Sequence, residues 1–314
     1  MELTQTTSTA IKRESFKTIC QDGVVLKGLL FIPLDTNSIK GVIQFNSGTA
    51  TKKTFYISFV EFLAENGYIV CLWDCRGNGE SAPKNLKNCE YRYTDYGIKD
   101  MPTIKNFLTQ KFPNYPFFIF GHSAGGQQIG LMDNLENVKG MVNFAVSAGY
   151  LLNMPFGYLM TSIFFFFIFT PLSNLFYGFL SAKKFGFMED MPKNAINEWK
   201  DWCLKEDYLF DDKFYGKTVP IGNYQKIDFP IHNFWTTDDT ISNKKNTYNL
   251  WKHFKSSKPI TFKELKPSEY NLKEIGHFGF FKKKNKDKFW QQALDVLDNF
   301  LEGKEVKGNN LENL

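Results

Sequence analysis

Apolar and polar positions along the chain follow two alternating periods. Between Lys12 and Pro33, Phe16-Lys17-Thr18-Ile19 and Val24 to Ile32 flank Asp22-Gly23, a turn pair that tolerates positive φ, and together they predict a β-hairpin. Gly41 to Phe45 is a short run of the buried-strand kind. Lys53 to Asn66 then carries apolar residues at helical spacing and closes on Gly67. The alternation continues as strand Tyr68 to Trp73, a helix between Asp95 and Phe112, strand Phe117 to Phe120, helix Ala124 to Leu135 and strand Lys139 to Val146. It stops near Gly149. It resumes with strand Phe229 to Trp235, helix Lys244 to Phe254, strand Ile260 to Leu265 and helix Asp287 to Leu301. Strands alternating with helices predict an α/β fold, a mainly parallel sheet with helices on both faces.

The interruption has its own character. From Gly140 to Ala182 there is no charged residue, and the centre reads Ser162-Ile163-Phe164-Phe165-Phe166-Phe167-Ile168-Phe169. Pro155 and Pro171 bracket 15 residues, short of the roughly 20 that a membrane span needs. The pattern predicts an apolar cap over a site, with attachment to a membrane surface as the intermediate case. Asn194 to Asp207 follows as an amphipathic helix bearing Trp199 and Trp202. The expected organisation is therefore a core of residues 12–149 and 216–302, a helical cap insertion over 150–215, and a polar tail over 303–314 that is expected to be disordered.

Composition narrows this little. The balance of 38 basic against 33 acidic residues gives no electrostatic footprint for nucleic acid, and no groove-reading motif is present. Cys20, Cys71, Cys75, Cys89 and Cys203 have neither framework nor metal-ligand spacing, which suits a reducing compartment. Met1 to Ser15 is polar and lacks an apolar run, which speaks against an ordinary secretory signal. A cytoplasmic protein, with contact to the inner face of a membrane as a variant, is the expectation. The 33 phenylalanines fit an apolar pocket or a codon bias.

Candidate chemistry begins at Gly121-His122-Ser123-Ala124-Gly125. A G-x-S-x-G placed after a strand and opening a helix is the nucleophile elbow: the turn holds Ser123 at strained φ/ψ, and small residues on either side let strand and helix approach. The helix start also supplies backbone N–H groups that favour negative charge on a substrate oxygen. His122 is too close in sequence to act as the base. Of the others, His232 falls in a predicted strand, as a satisfied core residue, and His253 lies on a helix among lysines, at the surface. His277 sits in the glycine-flanked loop Ile275-Gly276-His277-Phe278-Gly279-Phe280, between the last strand and the last helix, where an imidazole can reach the carboxyl edge of the sheet. An acid should follow a strand between serine and histidine, and Asp238-Asp239 does so. Asp239 is the preferred partner, with Asp238 free to bond the turn. Backbone amides of Ala124 and of Thr49, in the small-residue loop Asn46-Ser47-Gly48-Thr49-Ala50, are the candidate oxyanion donors.

With these residues in place the chain resembles the α/β-hydrolase superfamily, in its serine-nucleophile branch near the serine aminopeptidases and monoacylglycerol-lipase-like proteins. Trp73-Asp74-Cys75-Arg76-Gly77-Asn78-Gly79-Glu80-Ser81 resembles the D-x-R-G-x-G-x-S segment of that branch, a structural turn in which Asp and Arg can pair. Within it the chain is most similar to bacterial hydrolases without an assigned substrate. These share an Asn/His-x-small-Thr loop, a GHS-x-GG-Q elbow, an apolar segment before a W-x-x-W-C helix, and a G-H-x-G-F-F loop. The resemblance covers residues 15 to 302. The loop at Asn46 departs from the His-Gly-x-Gly of many lipases, which leaves the second oxyanion donor open. The resemblance implies an eight-stranded α/β-hydrolase sheet and a metal- and cofactor-independent serine hydrolase. Its substrate would be a small-molecule carboxylic ester, thioester or amide with an apolar or acyl-chain part. The competing reading is a non-catalytic binding or membrane-surface protein on a hydrolase scaffold, for which Lys282-Lys283-Lys284-Asn285-Lys286 offers a basic face.

Overall fold

A computed structural model describes residues 11–314; of the polar Met1–Ser15 stretch, residues 1–10 lie outside it. The hairpin forms as β1 (Ile11–Ile19) and β2 (Val25–Pro33), paired antiparallel around Gly23 at φ +82°. The βα alternation follows as β3 (Gly41–Asn46), α1 (Ile57–Glu65), β4 (Tyr68–Asp74), α2 (Met101–Lys111), β5 (Phe117–His122), α3 (Ala124–Gln127) and β6 (Val138–Phe144). Between β6 and the next sheet strand stand α4 (Phe156–Phe164), α5 (Thr170–Tyr177), the two-residue strands β7 (Phe179–Leu180) and β8 (Met191–Pro192), and α6 (Lys193–Cys203). The sheet closes with β9 (Ile231–Thr236), α7 (Lys244–Trp251), β10 (Ile260–Leu265) and α8 (Lys286–Leu301).

Eight strands run in the order β1-β2-β4-β3-β5-β6-β9-β10, antiparallel at the two pairings of β2 and parallel elsewhere. Both faces are covered, so β3, β5 and β9 are buried at every position rather than at alternate ones. All of β4 is buried. Its Ile69, Cys71 and Trp73 pack in the layer that holds Ile104 and Leu108 of α2, while Tyr68, Val70 and Leu72 pack with Phe59 of α1 and Trp290 of α8. Because β3, β5, β6, β9 and β10 are parallel, the loops leaving their carboxyl ends gather along one rim, where a site in such a sheet forms.

Four expectations are corrected. The helix after the elbow ends at Gln127, followed by a single 3₁₀ turn over Ile129–Leu131, not at Leu135. Gly125, Gly126 and Gly130 weaken a longer helix, and a Cβ at Gly130 would lie 2.3 Å from the Tyr224 ring. Second, Pro171 does not end the apolar helix. A π turn over Phe165–Phe169, in which the Thr170 N–H reaches the Phe165 carbonyl, re-registers the backbone just before the proline and accommodates its missing donor. The result is one helix from Phe156 to Tyr177, 22 residues long and apolar enough by length and composition to cross a membrane, though 17% of its most apolar window is buried against the protein. Third, the tail turns back on the sheet edge: Asn309 exchanges both backbone bonds with Phe262 of β10 at 2.8 Å, and Leu311 and Leu314 pack on the core. An unpaired edge strand offers those bonds to any segment that can reach it. Fourth, Asp74 does not pair with Arg76. It bonds Lys53, while the buried Arg76 guanidinium bonds Asp100 through Nε and Asp22 through Nη1, each at 2.7 Å. Gly79 is required beside it, since a Cβ there would lie 2.4 Å from the Asp74 carboxylate.

Candidate active site

Ser123 stands between β5 and α3 at φ +49°, ψ −119°, a strained conformation for a residue with a side chain. The elbow has no room to relax. A Cβ at Gly125 would lie 2.1 Å from the Asn46 carbonyl, and one at Gly121 would lie 2.4 Å from Asn143 Oδ1. The tight approach holds the short helix by its own backbone, the Ser123 carbonyl accepting from Gly126 at 3.0 Å and Gln127 at 3.2 Å. As the first residue of α3, Ala124 carries an amide with no acceptor inside the helix. With only four residues in α3, that amide matters more than any helix dipole.

The predicted acid, Asp239, and the predicted base, His277, meet. His277 Nδ1 lies 2.7 Å from Asp239 Oδ2, so Nδ1–H donates to the carboxylate. Asp239 is buried, and its other oxygen accepts from the Ile241 and Ser242 amides at 2.8 and 2.9 Å. Asp238 turns the opposite way and accepts from the Ile275 and Gly276 amides at 2.8 and 3.1 Å, clamping the start of the histidine loop. Of the remaining histidines, His232 is buried on β9 with Nδ1 2.8 Å from Thr261 Oγ1. His253 is not simply a surface group: its ring stacks on Phe210 at 4.3 Å and Nε2 meets Asp207 at 3.1 Å.

Ser123, His277 and Thr49 line one cavity of about 600 Å³. Its walls are largely apolar, from Leu151, Met154, Phe166, Phe187, Trp199 and Phe278. Cys203 also lines it, but burial raises its thiol pKa, so it is no competing nucleophile. The Thr49 hydroxyl bonds Tyr93, and the next carbonyl, of Ala50, accepts from Glu189 at 2.9 Å, so the β7–β8 region is clipped onto this loop. Two contributors carry no mark in the sequence. Glu189 is a buried carboxylate at the cavity, 3.1 Å from Lys183 Nζ. Tyr56, fully buried, donates to His122 Nδ1 at 2.7 Å; its only sequence signal was membership of an apolar helical face. Among the described residues no group of three or more His, Cys, Asp or Glu side chains is placed to hold a metal ion.

A parallel-rim serine at a strained elbow, with an Asp–His pair on the loops that follow later strands, defines the class: the chain is an α/β hydrolase in fold. Comparison with known proteins is consistent at finer grain. The family described as serine aminopeptidase, S33, matches residues 37–161, and the branch that holds it and the monoglyceride lipases is the one this chain is similar to. A monoglyceride lipase of Saccharomyces cerevisiae is 28% identical over 124 residues, a match that spans 39% of this chain and 38% of the relative's length. Among solved structures, an esterase of Pyrococcus furiosus superposes with a TM-score of 0.60 at 15% identity, covering 93% of this chain and 92% of the other. An esterase domain from Rhodothermus marinus does so with a TM-score of 0.53 at 15% identity, covering 91% and 97%.

Proposed function

We propose that the chain is a serine hydrolase that cleaves a carboxylic ester, or a thioester or amide, through an acyl-enzyme intermediate. The observation that carries this is the 2.7 Å bond between His277 Nδ1 and the buried Asp239, at the cavity that Ser123 shares. Ser123 Oγ attacks the acyl carbon while His277 Nε2 takes its proton, and the resulting imidazolium returns that proton to the leaving group. Water then gives a proton to His277 and its oxygen to the acyl carbon, releasing the acid and restoring Ser123. Asp239 orients the ring and stabilises its cation. The amides of Ala124 and Thr49 receive the oxyanion, each contributing on the order of 3 kcal/mol to transition-state binding. The esterase and monoglyceride-lipase likenesses point the same way.

On this reading residues 150–215 form a cap whose apolar inner wall takes an acyl chain. The cap helix also supports contact with a membrane surface. Its protein-facing stripe is Ser162, Phe166, Thr170 and Ser173, whereas Phe156, Phe164, Phe167, Leu175 and Phe176 are exposed. That is the reverse of a helix built to face water, and it suits a segment lying in a lipid interface.

A fluorophosphonate probe tests the catalytic reading. Wild type should label and hydrolyse p-nitrophenyl esters, and Ser123→Ala should lose both while its circular dichroism is unchanged. A folded wild type that takes no label would instead support a non-catalytic binding protein.

A further inference from the structure

His122, the variable position of the elbow motif, has no part in the proton transfers above, yet it is among the most completely engaged side chains of the molecule. Its ring is fully buried, caged by Phe144, Phe281 and Phe278 at centroid separations of 6.0, 4.9 and 5.3 Å. Both nitrogens are used. Nε2 lies 2.9 Å from the backbone carbonyl of His277, and Nδ1 lies 2.7 Å from the Tyr56 hydroxyl, whose oxygen in turn lies 3.1 Å from the Gly48 amide.

The donors and acceptors have a single consistent direction. A carbonyl can only accept, so His122 Nε2 carries the proton; in the neutral ring Nδ1 then accepts, so the Tyr56 hydroxyl donates; the hydroxyl oxygen then accepts from the Gly48 N–H. Burial, followed by repulsion from His277, lowers the His122 pKa well below its ordinary value and keeps the ring neutral. Packing holds the same loop against the ring. A Cβ at Gly48 would lie 2.9 Å from His122 Nδ1, so the glycine loop rests directly on the ring.

We propose that Tyr56 and His122 are positioning residues that couple the two catalytic loops: the one carrying the oxyanion amide at Thr49 and the one carrying the base His277. The line of bonds runs from Gly48 N–H, adjacent to Thr49, through the phenol and the imidazole to the carbonyl of His277 itself. Asp239 sets the rotation of the His277 ring, and His122 sets the height of its backbone. A base and an oxyanion donor held on one rigid line keep their separation as the substrate carbon becomes tetrahedral, and errors of about 1 Å in such placement cost on the order of 10²-fold in rate. This inference rests on the reading of Ser123 and His277 as catalytic.

Tyr56→Phe removes one oxygen and keeps the ring that packs the site. It should lower kcat for p-nitrophenyl acetate about tenfold, with KM within twofold of wild type. At position 122, Gln can still donate near the Nε2 position, whereas the shorter Asn reaches only the Nδ1 position and leaves the His277 carbonyl without its donor, so His122→Gln should retain more kcat than His122→Asn at equal folded fraction. Nitrogen NMR of the wild-type ring should show the proton on Nε2. A folded Tyr56→Phe with kcat within twofold of wild type, or a His122 ring protonated at Nδ1, would overturn the proposal. The NMR measurement does not depend on turnover. If Ser123→Ala keeps its activity, the catalytic reading fails, while the tautomer still reports on the bond line.

Discussion

At the scale of single residues, Asp238 and Asp239 are chemically identical neighbours with different surroundings. Asp239 faces an imidazole and Asp238 faces two backbone amides. Asp239→Asn removes the charge that fixes the His277 tautomer and should lower kcat by on the order of 10³ to 10⁴, with little change in KM. Asp238→Asn leaves the Asp239–His277 pair intact but weakens the clamp on the histidine loop. It should lower the unfolding free energy by about 1–3 kcal/mol, measured by urea titration, with a smaller loss of kcat than Asp239→Asn. Equal kcat losses in the two variants would show that orientation of the base is shared between them. The placement of Ser123, Asp239 and His277 on loops that follow strands was legible in the sequence, because the proposed nucleophile, acid and base are expected in a fixed chain order. Which oxygen of Asp238-Asp239 points where was not, because turn geometry two residues long leaves no periodic trace. Tyr56 was invisible for a similar reason: an apolar helical face predicts burial and says nothing about the partner of a buried hydroxyl.

At the scale of elements, the helix over residues 156–177 carries the main departure from expectation. Proline at 171 predicts a break, and the π turn before it makes continuation possible. The outward residues are apolar and the inward ones largely small and polar, so the helix is placed wrongly for water alone. Leu175 and Phe176 are 76% and 75% exposed, and they do not line the cavity. A double Leu175→Asp, Phe176→Asp variant should fold and hydrolyse p-nitrophenyl acetate as wild type does. Wild type should co-sediment with phosphatidylcholine/phosphatidylglycerol vesicles, and the variant should stay largely in the supernatant. Wild type remaining in the supernatant would remove the case for membrane contact. The short helix after the elbow shows the opposite effect: a helical pattern in the sequence ended early because glycines, chosen for close approach, also weaken the helix that follows.

At the scale of the whole molecule, the two-sided core has a pH signature. Burial, with a smaller contribution from Lys263, lowers the His232 pKa to about 3 from its ordinary 6.5. The unfolded chain therefore takes up this proton first. The stability from a neutral His232 is complete above about pH 6.5 and is lost as pH falls toward 3. Between pH 7 and pH 5 the loss is about 2 kcal/mol, and His122, lowered well below its ordinary value chiefly by burial, adds in the same direction. Urea unfolding at the two pH values should show a difference smaller by about 2 kcal/mol in His232→Leu than in wild type. An unchanged difference would mean that another group governs the acid sensitivity.

What the sequence determined by itself was everything that repeats or that chemistry confines to a few residue types. The alternation of strands with helices announced a mainly parallel sheet covered on both faces, and the glycine-flanked serine announced the elbow, because only small residues let strand and helix meet there. Tertiary structure alone decided the pairings across distance: Asp74 with Lys53 instead of Arg76, the tail returning to β10, and the line from Gly48 through Tyr56 and His122 to His277. The physical reason is common to all three. A hydrogen bond depends on position and direction to within a few tenths of an ångström, and elements far apart in the chain acquire those only when the whole sheet has packed.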